Sequence, residues 1–254
     1  MSKVAIQEKF LLPSNGRLYA GLDIPKEVNL RAMSTLDEKI RLASNNPFKT
    51  TPALVKNCLV GSDFDTENLK LFDLYFLMFK LREITYGSDY KIDVTCRSCK
   101  NKQKVNVDLS TLEVNMLDDS DNEPFIIDLP KSKDHLACRY LSCKDLNELQ
   151  NEVKRIQMKN PEINESDVSF IPGLCARIVS VNDEVLPKHK LIQYMQEMHA
   201  MDYNYFDKKY IEITNKPGIN LNYVETCEKC GMPMVFEVPI LGEFFSPSID
   251  WWTI

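Results

Sequence analysis

Glycine is scarce in this chain, eight of 254 residues, and the glycines are dispersed, with Gly218 and Gly231 standing alone. A phosphate-cradling loop needs clustered glycines, so a nucleotide site has no support. Histidine is scarcer still. His135, His189 and His199 are the only three, and none lies within ten residues of either Cys-x-x-Cys pair. No Ser-His-Asp or Cys-His arrangement can be assembled, and acidic pairs such as Asp118-Asp119 fall in a polar stretch where solvation is the default. The expectation is a protein without an active site. Long apolar runs are missing too: the greasiest, Leu71 to Leu81, is broken by Asp73 and Lys80, well short of the roughly 20 residues that span a bilayer. Lys3, Glu8 and Lys9 sit where a signal peptide would need its apolar core, so export by that route is not expected. A net charge of −6 disfavours a broad phosphate-binding surface, although a local basic patch is compatible with it.

What is present describes a folding chain. With 44% hydrophobic and 27% charged residues it is not disordered in composition, and its length suits one large domain or two of about 100 to 150 residues. Eight cysteines without a secretory signal point to a reducing compartment, where paired cysteines suggest metal rather than disulfides.

Local signals give an α+β order. Asn15-Gly16 in "LLPSNGRLY" predicts an N-terminal β-hairpin through a type I′ turn, since both residues tolerate positive φ. Ser34 with Asp37 resembles a capping box for a short amphipathic helix ended by Asn46-Pro47. The stretch "DTENLKLFDLYFLMFKLREITYG" predicts a buried central helix, capped by Asp65 or Thr66 and stopped by Gly87. Alternation on both sides of Cys96 and Cys99 predicts strand, knuckle, strand. The acids of "DDSDNE" mark a linker.

The order then recurs. Arg31, Ser34 and Asp37 fall on Arg139, Ser142 and Asp145, each 108 residues later; Thr95, Cys96 and Cys99 fall on Thr226, Cys227 and Cys230, each 131 later. Cys58 matches Cys175, and "PKHKLIQYMQEMHAMDY" takes the place of the central helix. This predicts two tandem repeats of hairpin, helices and half a zinc ribbon, divided as 1–113, an acidic linker 114–124, and 125–254, against the alternative of two unrelated α+β segments.

A Cys-x-x-Cys turn offers two thiolates to one ion, and a structural zinc site wants four in a tetrahedron. Cys96, Cys99, Cys227 and Cys230 are therefore the candidate ligands of a single structural Zn2+ shared between the halves. A catalytic zinc would keep an open position and usually a histidine. A redox motif would place a cysteine at a helix N-terminus, whereas strands follow both pairs here. Reduced, unmetallated cysteines remain the plain alternative. Cys58, Cys138, Cys143 and Cys175 are expected to be buried filler, and Met195, Met198 and Met201, with Leu191, a core stripe. Phe244, Phe245, Trp251 and Trp252 concentrate aromatic area in the last eleven residues, to be covered by the chain's own core or by a partner. They are the candidate partner-binding residues.

The phrases "LPSNGRLY", "VNLRAMSTLDEKIRLAS" and "LFDLYFLMFKLREITYGSDYKIDVTCRSC", with fainter matches at "LACRYLSCKDLNEL" and "CEKC", resemble the baseplate hub and hub-assembly proteins of T-even-like contractile-tailed phages. The resemblance implies a non-enzymatic structural or assembly component of a tail baseplate, made in the host cytoplasm, joined to other baseplate and tail proteins, and located in the virion. It further implies that Leu12, Pro13, Ser14, Gly16 and Tyr19 form an N-terminal hairpin segment. The chain departs from the short family members in length and in its second cysteine pair, so its place within the baseplate does not transfer one to one. The competing function is a zinc-ribbon nucleic-acid-binding or transcription-associated module, with Lys100, Lys102 and Lys104 beside the first knuckle meeting phosphates.

Overall fold

The computed structural model describes residues 6–43, 47–162, 164–240 and 244–245. It is a mixed α+β structure of seven helices and small antiparallel sheets among the described residues. Strands β1 (Gln7–Leu11) and β2 (Glu27–Arg31) pair antiparallel with Leu11 opposite Glu27. The hairpin is therefore present, but residues 12–26 join its strands in place of a two-residue turn. Asn15 and Gly16 do take positive φ, 56° and 73°, inside that loop, and a Cβ on Gly16 would come within 3.0 Å of the Lys26 backbone.

Helix α1 (Thr35–Leu42) opens on the expected box, the Asp37 carboxylate accepting the Ser34 N–H at 2.6 Å. Pro47 begins α2 (Pro47–Cys58), as suits a residue with no N–H to satisfy. Asp65 caps a separate 3-10 turn, Thr66–Asn68. The central helix α3 (Leu71–Tyr86) starts later, after Lys70, and stops at Gly87 with φ 84°. It buries Phe72, Leu74, Phe76, Leu77, Met78, Phe79 and Leu81 on nearly all sides, so it is the axis of the core rather than an amphipathic surface helix. Strands β3 (Asp89–Thr95) and β4 (Lys102–Asp108) follow as a ribbon.

The stretch read as a solvated linker is tied to both sides. Its β5 (Val114–Asn115) pairs with β9 (Gly218–Ile219), the Leu117 N–H reaches the Pro13 carbonyl at 2.8 Å, and Lys70 and Lys216 pair with Glu123 and Asp118 at 2.7 and 2.5 Å. Beyond it, β6 (Phe125–Asp128), β7 (His135–Cys138) and β8 (Ile178–Val181) make a three-stranded sheet. Between β7 and β8 lie α4 (Cys143–Lys159) and α5 (Glu165–Ala176). The helix expected across Pro187 to Tyr203 is two helices, α6 (Lys188–Glu197) and α7 (Ala200–Thr214), because Met198 turns out of helical geometry at ψ 133° and the His199 side chain caps α7 by accepting the Met201 N–H. The methionine stripe divides there: Met195 is 4% exposed and Met201 59%. A second ribbon, β10 (Asn222–Thr226) and β11 (Pro233–Glu237), completes the order.

Local solutions occur in parallel in the two halves. Asp145 accepts the Ser142 N–H at 2.8 Å as Asp37 accepts that of Ser34. Arg31 pairs with Asp37 at 2.7 Å and Arg139 with Asp145 at 2.9 Å. Asp73, third residue of α3, accepts the Ser14 N–H at 2.9 Å, and Asp202, third residue of α7, accepts those of Lys131 and Ser132 at 2.7 and 2.9 Å. In each case a buried helix acid holds the loop of the preceding hairpin.

Candidate metal centre

The two ribbons end in turns of one design. In the first, Thr95 pairs with Lys102, the Cys96 N–H reaches the Asn101 carbonyl at 2.8 Å, and the Lys100 N–H reaches the Cys96 carbonyl at 3.0 Å. In the second, Thr226 pairs with Pro233, and the matching bonds, Cys227 to Met232 and Gly231 to Cys227, are both 2.9 Å. Closing such a turn takes a left-handed residue, and positions 100 and 231 supply it with φ 59° and 70°. The turn aims both sulfurs of its pair to one side.

The turns face each other. All four sulfur atoms, of Cys96, Cys99, Cys227 and Cys230, lie within 4.8 Å of one another. Cys96 and Cys230 are 3.8 Å apart, and Cys99 and Cys227 are 3.6 Å apart. A tetrahedron with metal–sulfur bonds of about 2.3 Å has sulfur–sulfur edges of about 3.8 Å. The donor set thus fits one thiolate-loving divalent cation, and with four protein donors it leaves no position for a reacting water.

Electrostatics around the sulfurs point the same way. The Cys99 and Ser98 N–H groups lower the Cys96 thiol from its ordinary value, and those of Cys230 and Lys229 bring Cys227 down to about 6. Cys230 receives the Met232 N–H, yet the neighbouring sulfurs of Cys99, Cys227 and Cys96 push it up to about 12. Four sulfurs this close cannot all carry charge without a cation between them. Cys96 and Cys227 are each 1% exposed, while Cys230 is at the surface.

One residue of this site carries no cysteine signature. The Gln103 amide of β4 donates to the Thr226 carbonyl at 3.1 Å and accepts the Glu228 N–H at 3.0 Å, fastening the second knuckle to the first ribbon. Its counterpart 131 residues on is Met234, 5% exposed. Of the other four cysteines, Cys58, Cys138 and Cys143 are buried in the cores, while Cys175, expected to be buried with them, is only partly covered at the edge of one. Burial pushes the Cys58, Cys138 and Cys143 thiols up to about 12, as inert packing requires.

The aromatic tail divides. Trp251 and Trp252 lie outside the described residues. Phe244 is 1% exposed, with ring centroids 4.8 Å from Phe79 and 5.3 Å from Tyr90, and its carbonyl accepts the Arg82 Nε–H at 3.1 Å. This corrects its place among partner-facing residues: its ring is spent on the chain's own core. Phe245 packs partly buried on the same core.

The fold and site define an α+β protein in which two remote ribbons converge on a four-thiol cluster of metal-binding type. The chain belongs to the T4 bacteriophage base plate protein family, whose model matches residues 5–246. It is a structural protein of the phage tail baseplate, and that setting brings it against other tail proteins. No curated protein and no solved structure matches it. No helix among the described residues is long and apolar enough to cross a membrane.

Proposed function

We propose that this chain is a non-enzymatic hub or wedge component of the baseplate, made in the host cytoplasm, and that one zinc ion on Cys96, Cys99, Cys227 and Cys230 locks its two halves into a rigid unit. The observation that carries the reading is the meeting of two sulfur pairs, 131 residues apart in sequence, all four sulfurs within 4.8 Å and two of the cross-pair separations, 3.8 and 3.6 Å, close to the edge of a zinc–thiolate tetrahedron. The halves, 1–113 and 125–254, are tandem repeats joined by 114–124. Supporting this are the duplicated capping boxes, arginine pairs and helix acids, and the Leu-Pro pairs at Leu12-Pro13 and Leu129-Pro130 ahead of the loops those acids hold. Trp251 and Trp252 are assigned to contact with a neighbouring tail protein.

A rigid unit suits a structural component, because a part that fixes the positions of its neighbours must hold its own shape. Structural zinc contributes about 10 to 16 kcal/mol of apparent binding energy in small domains, far more than the knuckles' own hydrogen bonds. Elemental analysis of untagged protein should return equimolar zinc, and chelation should abolish cooperative unfolding. A metal-free chain with an unchanged thermal transition would end the proposal.

A further inference from the structure

The two ribbons share a backbone but not an outer face. Burial alternates along β3 and β4, turning Tyr90, Ile92, Val105 and Val107 inward and Lys91, Asp93, Lys102, Lys104 and Asn106 outward. The exposed Arg97 and Lys100 of the knuckle extend this face. Among the described residues none of these five cationic side chains has a hydrogen bond or ion pair. Asp93, opposite Lys104, is the one carboxylate among them, and Asp89 and Asp108 close the far end.

Neither the fold nor the metal requires these cations. At the positions 131 residues later the second ribbon carries Asn222, Glu228, Gly231, Pro233 and Val235 in place of Lys91, Arg97, Lys100, Lys102 and Lys104. Arg97 and Lys100 sit within the knuckle itself, whereas Lys91, Lys102 and Lys104 lie on the strands. Lys104 lies two residues further up the strand than Lys102, roughly 7 Å along it. On a chain of net charge −6, this face gathers five cations against Asp93 and, at its far end, Asp89 and Asp108, a local excess of positive charge that suits an anionic partner.

We propose that the outer face of the β3–β4 ribbon is a docking surface for a carboxylate-rich polypeptide segment of a neighbouring baseplate protein. A polypeptide fits better than a nucleic acid because the face presents no aromatic ring for base stacking, Tyr90 being turned inward at 3% exposure.

The test uses the full-length, metal-replete chain with two labelled probes, an octaglutamate peptide and an oligothymidine of equal charge, at about 100 mM salt, where the Debye length is about 10 Å and distant charges are screened. The variant Lys91→Glu/Lys102→Glu/Lys104→Glu should weaken octaglutamate binding about tenfold or more. A control with the same net charge change, Lys154→Glu/Lys159→Glu/Lys190→Glu, should leave it within about twofold. Wild-type protein should hold octaglutamate more tightly than oligothymidine. Equal losses in both variants, no octaglutamate binding, or tighter binding of the oligonucleotide would overturn the proposal. Circular dichroism and metal content of each variant confirm that it is folded.

Discussion

Gln103 holds Thr226: the side-chain amide of a residue in the first ribbon donates at 3.1 Å to a main-chain carbonyl in the second, 123 positions away in sequence. With the Glu228 N–H on its other end, the side chain is satisfied on both sides at 8% exposure. Removing it strands two backbone groups next to the sulfur cluster. Gln103→Ala should lower unfolding free energy by about 1 to 3 kcal/mol in a denaturant titration. An unchanged midpoint would mean that water replaces the amide at no cost.

The knuckles differ in how they meet one backbone demand. Gly231 is left-handed at φ 70°, and nothing lies within 4 Å of where its Cβ would be, so Gly231→Ala isolates the conformational penalty, about 1 to 2 kcal/mol. Lys100 already bears that strain at φ 59°. Lys100→Gly should therefore stabilise the fold, by about 0.5 to 1 kcal/mol once the looser unfolded chain is counted. Opposite signs for the two exchanges are the expected result, and a destabilised Lys100→Gly would refute the assignment of strain.

Acid should weaken the first half through Asp37. Burial raises its carboxyl, but hydrogen bonds from Arg31, Ser34 and Asn57 outweigh that and hold it well below the carboxylate range. Because the folded value is depressed, its contribution is full above the unfolded value of about 3.9 and is lost as pH falls further toward the folded value. Unfolding free energy measured from pH 5 down to 2 should fall, and Asp37→Asn should flatten that slope while lowering stability at neutral pH. A slope identical to wild type would show that other carboxylates carry the acid limb.

Phe244 gives a prediction about the tail. Buried against Phe79 and Tyr90, its truncation to alanine should cost about 3 to 5 kcal/mol in the isolated chain. Were it a partner contact, the isolated chain's melting temperature would not move.

What the sequence made legible was local. The boxes at Ser34 and Ser142, the stop at Gly87 and both knuckles depend on bonds between residues a few positions apart, so short motifs specify them. Asn15-Gly16 announced positive φ correctly but not a tight turn, because the loop's shape is set by Asp73, which binds Ser14 and Tyr19 from a distant helix. The break at Met198 went unseen because the cap that starts α7 is a histidine, an uncommon N-cap. The acids of 118–123 read as solvated because their partners, Lys70 and Lys216, are remote in sequence. Gln103 was invisible among the polar residues of β4, since its partners come only with the second ribbon in place.

The most direct measurement is X-ray absorption at the zinc edge on protein purified without added metal. A single zinc per chain with four sulfur neighbours at about 2.3 Å is the predicted spectrum. A metal-free protein, or a zinc shell containing nitrogen or oxygen, would contradict the picture of two ribbons closed on one ion.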